Sequence, residues 1–227
     1  MKNAAMHSEL DIAHWARRDS FEFFRRFDKP YFSVCVRVDV SALKPALAQV
    51  GIGGVTLACH FVALDLANRS APFRYRLHGD GVRVYDRIAG STTVLRDDES
   101  FGFAYFDHDS HYHRFAEQAA PALAAARAGS AGFAPRNDEQ ALIHCTTLPW
   151  LHFTSFSHAR NWGRPDAVPK LAFGRIDEEA GRSWMPLSVE VHHALMDGLH
   201  VGRYAMAFEA AMRDPLPWLQ GQPLALP

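Results

Sequence analysis

The sequence predicts an α+β protein in which helices cover one side of a largely antiparallel sheet. Short β-branched segments recur in the middle and the last third of the chain, helical patterns lie between them, and no repeat or low-complexity linker divides them. At 227 residues the chain is long for one ordinary domain and short for two well-buried ones. We therefore expect one domain over residues 1–227, with residues from about 217 to 227 as a C-terminal extension.

The first predicted elements are a short helix and a strand. From Arg17, the segment "RRDSFEFFRRF" carries phenylalanines at helical spacing behind Asp19 and Ser20, either of which can cap the helix. These phenylalanines are Phe21, Phe24 and Phe27. After Pro30, "YFSVCVRVDV" alternates and is rich in β-branched residues, which predicts a strand.

Two further helices are predicted before the middle of the chain. Ser41 opens "SALKPALAQV" as a helix cap, and a second helix follows Gly54. The second helix carries its apolar residues at Leu57, Phe61, Leu64 and Ala67.

The stretch from Phe73 to Phe106 is predicted to form an antiparallel meander. It divides at Gly, Asp and Ser residues into "FRYRLH", "GVRVYD", "STTVLR" and "FGFAYF". An alanine-rich helix from about His111 to Arg127 follows. Strands then resume at "ALIHCTTL", "KLAFGRI" and "WMPLSVEVHH", and a last amphipathic helix begins near His200.

Composition excludes several classes of partner. A net charge of -1 gives no electrostatic footprint for nucleic acid or an anionic membrane, and no apolar run reaches 18 residues. The three cysteines, Cys35, Cys59 and Cys145, form no C-x-x-C pair, so neither a disulfide framework nor a zinc knuckle is indicated. We expect a cytoplasmic protein with no nucleic-acid or membrane partner.

One histidine-rich segment raises the question of a metal site. "DHDSHYH", from Asp107 to His113, lies where a loop meets the predicted alanine-rich helix, and Asp109 or Ser110 can cap that helix. On a helix, His111 and His113 do not face each other. We predict a solvated capping segment and no bound metal.

The segment "VHHALMDGLHVGR", which starts at Val191, is the strongest candidate for chemistry. Strand alternation points His192 and His193 to opposite sides, so only one of them faces a given cleft. "ALMDG" then predicts a turn before the last helix. Imidazole titrates near neutrality, so a histidine beside such a turn can take a proton from a hydroxyl. A buried histidine bonded to the backbone is the alternative, although the combination with Asp197 and Gly198 goes beyond a lone histidine.

The chain resembles the chloramphenicol acetyltransferases, which are trimeric enzymes of the CoA-dependent acyltransferase fold. The resemblance covers nearly the whole chain and includes "LDIAHWARRDSFEFFRRF", "FSVCVRVDVSALK", "TTLPWLHFTSFS" and, most specifically, "LSVEVHHALMDGLHVGRY". It implies a two-layer sandwich and O-acetyl transfer from acetyl-CoA, a co-substrate, to a hydroxyl of chloramphenicol or a related small molecule. It also implies a homotrimer with no permanently bound cofactor.

The resemblance assigns roles to particular residues. It implies that His193 is the general base and that Asp197 pairs with Arg17 in a buried ion pair that holds the loop. Thr146 matches a serine whose hydroxyl stabilises the oxyanion, and threonine keeps that hydroxyl. Pro149 and Trp150 match a "PW" pair along the pantetheine arm of the donor.

The acceptor pocket implied by the resemblance is aromatic and lies across the subunit boundary. Three of its positions depart from the family: Phe24 replaces a tyrosine, His144 an amide and His158 an aliphatic residue. The full set is Phe23, Phe24, Phe32, Phe133, His144, Phe156 and His158.

The donor side departs as well, and the departures leave the donor open. Gly53 and Val55 lie near a family lysine and tyrosine, Ile176 replaces a tyrosine, and Ala172 lacks a hydroxyl. The alternatives are therefore a biosynthetic acyltransferase that uses a carrier-bound thioester, as in condensation domains with the same motif, or a non-catalytic ligand-binding protein of this fold.

Overall fold

The computed structural model describes residues 6–130, 132–136, 139–160 and 166–222. In chain order its strands and helices are β1 (His7–Glu9), α1 (Arg18–Phe24), β2 (Tyr31–Asp39), α2 (Leu43–Val50), α3 (Val55–Arg69), β3 (Tyr75–His78), β4 (Gly81–Tyr85), β5 (Ala89–Leu95), β6 (Phe101–Phe106), α4 (Tyr112–Arg127), β7 (Leu142–Leu148), β8 (Lys170–Gly174), β9 (Asp177–Glu179), β10 (Arg182–His192), α5 (Gly198–Arg213) and α6 (Leu216–Leu219).

A seven-stranded sheet organises the molecule. Six strands follow one another in the order β2-β10-β8-β7-β5-β6, and β9 pairs with β10. The pairs at both ends of this order are antiparallel, whereas β7 runs parallel to both β5 and β8. The predicted α+β class is confirmed, with a parallel centre that alternation cannot predict because it carries no information on strand direction.

The predicted meander between Phe73 and Phe106 is wrong. Its four strands form two hairpins in different sheets: β3 and β4 join β1 in a small three-stranded sheet, while β5 and β6 belong to the large one. The connection between the two hairpins is bound to the end of α3, because the Asn68 amide donates to Ile88 O at 2.9 Å and accepts from Ile88 N at 2.8 Å.

Helix α3 forms the centre of the core behind the sheet. All of its residues from Leu57 to Ala67 are buried, and the four predicted apolar positions are among them. The helix contacts α2, α4 and α5 on one side and β5 and β7 on the other. A helix that lies between a sheet and other helices is buried on all sides, and its sequence must be largely apolar on all sides.

Two predicted helix caps are wrong. Helix α1 begins at Arg18, so Asp19 and Ser20 lie inside it, and no side chain caps its N-terminus. Helix α2 begins at Leu43, and the Ser41 hydroxyl instead donates to Asp39 Oδ1 at 2.6 Å. The carboxylate two residues earlier offers Ser41 a local partner, so the hydroxyl orders the turn after β2 and does not cap the helix.

The predicted C-terminal extension contributes to the core as far as the structure describes it. Trp218 is 2% exposed and Leu219 is fully buried, and both belong to the main apolar cluster. Residues 223–227 lie outside the described residues. Among the described helices, none alone is long and apolar enough to cross a membrane, and only α2 and α3 taken together meet that test, across a 97° bend.

Candidate active site

The turn between β10 and α5 presents His193. Strand β10 ends at His192, and α5 begins at Gly198, two residues before the predicted start. The His193 N–H donates to Pro30 O at 2.7 Å, which ties the turn to the residue before β2. His192 Nδ1 accepts from Ala194 N at 3.2 Å, so a neutral imidazole shapes the same turn from within.

Arg17 and Asp197 fix the other end of this turn. Arg17 Nε and Nη2 donate to Asp197 Oδ2 and Oδ1 at 2.6 and 2.5 Å, a bidentate pair. The same guanidinium donates to His193 O at 3.0 Å and Ala194 O at 2.9 Å. The hydrogen bond from Arg17 holds the pKa of Asp197 below its usual value.

The ion pair is less buried than the sequence predicts. The Arg17 side chain is 12% exposed but that of Asp197 is 37% exposed in the single chain. Asp197 also starts α5, because its side chain accepts from the His200 N–H while His200 Nδ1 accepts from Asp197 N at 3.0 Å. One carboxylate therefore joins the turn to the helix and to Arg17.

Aromatic rings fix the plane of the His193 imidazole. Phe24 stacks on it with centroids 3.7 Å apart and planes 7° apart, and Phe32 lies 4.7 Å away. Phe23 packs edge-on against Phe24 and is 60% exposed. His193 Nδ1 is buried and lies 3.4 Å from Asp197 Oδ1. Nε2 is then the nitrogen available to a substrate.

Strand register places Thr146 far from His193 within one chain. Thr146 in β7 pairs with Ala172 in β8, and Ala172 pairs with Ser188 in β10. Two strand spacings and the five residues from Ser188 to His193 separate the two side chains by roughly 15–20 Å. These two predicted groups cannot act on one reacting carbon in a single copy of the chain.

A second group of predicted residues lies on the Thr146 side of the sheet. His144 precedes Thr146 by two residues on the same face of β7, and its Nδ1 lies 2.5 Å from Ser91 Oγ. Burial, with a smaller contribution from the charge of Lys170, lowers the pKa of His144 to about 4. Phe156 and His158 lie together, with ring centroids 4.7 Å apart.

Phe133 packs against β6, on the face of the sheet that also carries His144. It is 62% exposed and contacts Phe101 and Phe103 of β6, at 5.7 and 5.3 Å between ring centroids. The single chain thus brings Phe23, Phe24 and Phe32 to His193, and leaves the other predicted acceptor residues elsewhere. Such exposed aromatic groups are typical of surfaces that a partner covers.

A cavity of about 290 Å³ opens between the N-terminus of α3 and the ends of β7 and β8. Of the residues predicted on the donor side, Pro149, Val55 and Ile176 line the cavity. Trp150 does not line it: its side chain is 55% exposed, and its carbonyl oxygen accepts from Arg175 Nη1 at 3.1 Å. Thr147 also lines the cavity, and its buried hydroxyl has no hydrogen-bond partner among the described residues. The sequence did not single out Thr147.

Gly53 departs from the family for a structural reason. Its φ is +78°, and a Cβ built on it overlaps the Tyr112 hydroxyl and lies 3.2 Å from Leu57. Tyr112 Oη donates to Ile52 O at 3.3 Å, so α4 occupies the space that a side chain needs. Any residue other than glycine at 53 requires Tyr112 to move.

Four charged residues that sequence reasoning missed lie beside the second acceptor group. They are Arg160, Asp166, Lys170 and Glu190, and they form ion pairs with one another. The signal for Glu190 was its place inside an otherwise apolar strand, where a charge needs a partner. Nothing in the sequence pointed to Arg160 and Asp166, because neither residue lies in a helix or strand whose pattern would predict its position.

The histidine-rich segment does not gather ligands for a metal. Asp109 accepts from the His111 N–H at 2.8 Å and from Arg114 Nε at 2.9 Å, just before α4 begins. It therefore orders the entry to the helix, although the helix N-cap His111 itself makes no side-chain cap hydrogen bond. Among the described residues no group of three or more His, Cys, Asp or Glu side chains is arranged to hold a metal ion.

The layered fold is the CoA-dependent acyltransferase fold. A solved dihydrolipoamide acetyltransferase of Azotobacter vinelandii has the same fold, with a TM-score of 0.65 over 88% of each chain at 16% identity. A solved chloramphenicol acetyltransferase is more similar, with a TM-score of 0.84 and 26% identity over 91% of this chain and 100% of that one.

The chain belongs to the chloramphenicol acetyltransferase family, whose model matches residues 5–209. The chloramphenicol acetyltransferase of Streptomyces acrimycini is 30% identical over 212 residues, which cover 92% of this chain and 96% of the relative. Chloramphenicol acetyltransferase 3 of Escherichia coli is 26% identical over 200 residues, or 87% and 93% of the two chains.

Proposed function

We propose that this protein transfers the acetyl group of acetyl-CoA to a hydroxyl of chloramphenicol, in a complex that holds both substrates at once. The observation that carries the proposal is the bidentate Arg17–Asp197 pair, which holds the turn that presents His193. Relatives that cover nearly the whole chain are chloramphenicol acetyltransferases. The reaction takes place in the cytoplasm, where three unpaired cysteines suit the reducing conditions.

His193 acts as the base through Nε2. The ring is fixed between Phe24 and Phe32, and Nδ1 faces Asp197, so the Nε2 lone pair is directed toward the open side. Nε2 takes the proton of the acceptor hydroxyl as its oxygen attacks the thioester carbonyl carbon. When the tetrahedral intermediate collapses, the C–S bond breaks and the imidazolium returns the proton to the CoA thiolate.

Thr146 stabilises the oxyanion of that intermediate by donating its hydroxyl hydrogen. The separation of roughly 15–20 Å within one chain supports a site in which His193 comes from one copy and Thr146 from another. His144, Phe156, His158 and Phe133 then line the acceptor side opposite Phe23, Phe24 and Phe32, as the resemblance implies. An oxyanion donor of this kind typically contributes roughly 10²–10³-fold to kcat.

The assembly is a cyclic homotrimer. The exposed aromatic group around Phe23 beside His193 and the group around Phe133 on β6 are different surfaces of one chain. Contacts between two different surfaces are head-to-tail, and they form a ring with one site at each boundary when the rotation between neighbouring copies closes. Covering both groups removes apolar surface from water.

The cavity lined by Thr147 and Pro149 holds the pantetheine arm of the donor. Within the described lining, Arg175 is the one cation, and its Nε and Nη2 are bound to Asp177 at 2.7 and 3.2 Å. A nucleotide phosphate therefore meets a guanidinium that already has a carboxylate partner. This favours a second candidate, in which the donor is an acyl group on the pantetheine of a carrier protein.

A thiol-release assay tests the proposal. Purified protein with acetyl-CoA and chloramphenicol releases free thiol, and mass spectrometry of the product shows one added acetyl group. Reactions without chloramphenicol give the background of hydrolysis. No release with acetyl-CoA, but release with acetyl-loaded carrier protein, favours the second candidate. No release with either donor over a panel of alcohols contradicts both and favours a binding protein.

A further inference from the structure

Four charged side chains form a buried cluster on the face of the sheet that carries Thr146. Glu190 lies in β10 and Lys170 begins β8, and their exposed fractions are 4% and 9%. Arg160 and Asp166 belong to the connection between β7 and β8, on either side of residues that the structure does not describe. Their side chains are 3% and 17% exposed. We call these four residues the charge clamp.

Each residue of the charge clamp forms an ion pair with another residue of the clamp. Glu190 Oε1 accepts from Arg160 Nε at 2.7 Å, and Asp166 Oδ1 lies 3.2 Å from Arg160 Nη1. Asp166 Oδ2 lies 2.9 Å from Lys170 Nζ. The Arg160 guanidinium also lies 4.3 Å from the centre of the Tyr31 ring. Two positive and two negative charges balance one another inside the protein.

The clamp holds the backbone of the connection that carries Phe156 and His158. Glu190 Oε2 accepts from the His158 N–H at 2.9 Å, and Lys170 Nζ donates to Ala159 O at 2.9 Å. The charged side chains thus bind backbone groups of His158 and Ala159, which lie outside any helix or strand and have no ladder partner there.

The clamp lies next to the proposed acceptor groups. Lys170 pairs in register with both His144 and Glu190, so these side chains share one face of the sheet. Thr146 is two residues beyond His144 on the same face, about 7 Å along the strand. A net charge in the clamp therefore acts on the acceptor site from the same face of the sheet, through largely buried side chains.

The carboxylate of Glu190 remains charged at neutral pH. Burial alone raises its pKa, but the donors of His158 and Arg160 outweigh burial and bring it to about 2. Burial and Arg160 lower the pKa of Lys170, while Asp166 opposes that shift.

We propose that the charge clamp determines acceptor binding, by holding Phe156 and His158 in place and by keeping the surroundings of the acceptor free of net charge. The proposal rests on the proposed acetyl transfer to chloramphenicol. Glu190, Lys170, Arg160 and Asp166 are positioning residues, because each acts through the connection and not through the reacting atoms. The site accordingly favours an uncharged acceptor.

Three variants test this inference. Glu190→Gln keeps an acceptor for the His158 N–H but leaves one net positive charge, and Lys170→Met leaves one net negative charge. The double variant restores neutrality. We expect the KM for chloramphenicol to rise about tenfold or more in each single variant and to recover to within about threefold of wild type in the double variant. The KM for acetyl-CoA stays within about twofold.

Hydrogen exchange gives a readout that does not depend on turnover. The His158 amide exchanges faster in Glu190→Gln, whose neutral amide is a weaker acceptor, and at least as fast in the double variant, which also lacks the bond from Lys170 Nζ to Ala159 O. Glu209→Gln, which removes one charge from the Glu209–Arg213 pair of α5, serves as the control and alters neither readout. If Glu190→Gln does not fold, Asp166→Asn replaces it, with Asp166→Asn/Lys170→Met as the neutral double variant.

The outcomes separate this inference from the proposed function. The inference is overturned if the single variants leave the KM for chloramphenicol unchanged. It is also overturned if the effects of the two changes on that KM simply add in the double variant. In both cases the protein is still an acetyltransferase. A wild-type protein with no transfer to chloramphenicol contradicts the proposed function, and the exchange comparison then decides whether the clamp holds its segment.

Discussion

The position of His193 depends on groups from distant parts of the chain. Phe24 comes from α1, Phe32 from β2 and the Arg17 guanidinium from the residue before α1. The sequence motif supplies His193 and Asp197 together, because the turn that joins them is local. The stack on Phe24 is not visible in the sequence, since it depends on how α1 packs against the end of β10.

A double-mutant cycle on Arg17 and Asp197 measures the proposed hold on the turn. We expect Arg17→Ala and Asp197→Asn each to lower the melting temperature and kcat, with a coupling free energy of about 1–3 kcal/mol after allowance for the partial exposure of Asp197. The cycle is measured by urea unfolding at pH 7. Additive effects of the two changes would show that the pair does not hold the turn.

Replacement of Thr146 separates its hydroxyl from its methyl group. Thr146→Ser keeps the donor, and kcat stays within about threefold, whereas Thr146→Ala lowers kcat by roughly 10²–10³-fold with little change in either KM. Thr147→Ala is the matched control. Because Thr147 lines the donor cavity, this change affects the KM for the donor more than kcat. Equal kcat for the Ser and Ala variants of Thr146 would remove it from the mechanism.

Elements were easier to predict from the sequence than their boundaries. Helix α3 and strand β10 were predicted correctly because their apolar patterns are long and each is buried on more than one side. The caps of α1 and α2 were not, because Asp19, Ser20 and Ser41 each fit several local hydrogen-bond patterns. Which pattern forms depends on neighbouring side chains such as Asp39, and residue spacing alone does not show which of these neighbours is preferred.

The entry to α3 provides a test at the scale of one element. Gly53→Ala is expected to lower the free energy of unfolding by about 1–3 kcal/mol, because it combines a positive φ with a clash against Tyr112. Gly51→Ala is the control, since its φ of +74° is similar but no atom lies within 4 Å of a Cβ there. Urea unfolding curves in which both variants lose equal stability would exclude the clash as the cause.

At the scale of the whole molecule, strand order decides what the site contains. The predicted strands exist, but the placement of two hairpins in two sheets and the parallel centre come from packing over long sequence separations. That strand order separates Thr146 from His193, although the sequence places both in recognisable motifs. The acceptor residues were therefore predictable as a set, and their division between two surfaces was not.

Four of the described histidines have lowered pKa values and make the stability of the whole molecule depend on pH; for one of them, His200, burial and the charge of Arg17 lower the pKa. Burial lowers the pKa of His60, His144 and His192 to about 4 each, aided by Lys170 for His144 and by Arg160 for His192. Between pH 6.5 and 4 the unfolded chain binds protons that the folded chain does not. The free energy of unfolding is thus highest above about pH 6.5 and decreases as the pH falls toward 4. Well inside this range each of the three histidines with a pKa of about 4 lowers it by about 1.4 kcal/mol per pH unit.

Unfolding at pH 7, 6 and 5 and constant protein concentration measures this dependence. We expect His60, His144 and His192 together to take up about three protons on unfolding near pH 5, to which His200 adds a further fraction. The uptake falls by about one proton in His60→Leu, which removes a buried histidine whose ring nitrogens have no partner among the described residues. Asp197 and Glu190 have lowered pKa values, so their contribution to the stability of the folded state is lost only below pH 5. A stability that is constant from pH 7 to pH 5 would contradict the assignment.

Mixed assembly tests the central claim, that His193 of one copy and Thr146 of another act on the same substrate. His193→Ala and Thr146→Ala chains, each nearly inactive alone, are unfolded together in equal amounts, refolded and assayed for thiol release. Three quarters of random trimers contain both chains, and each of these has one boundary with both groups intact, so we predict recovery of about a quarter of wild-type activity. Refolded wild-type and single-variant samples give the reference values. Activity no greater than that of the two variants refolded separately would contradict the shared site.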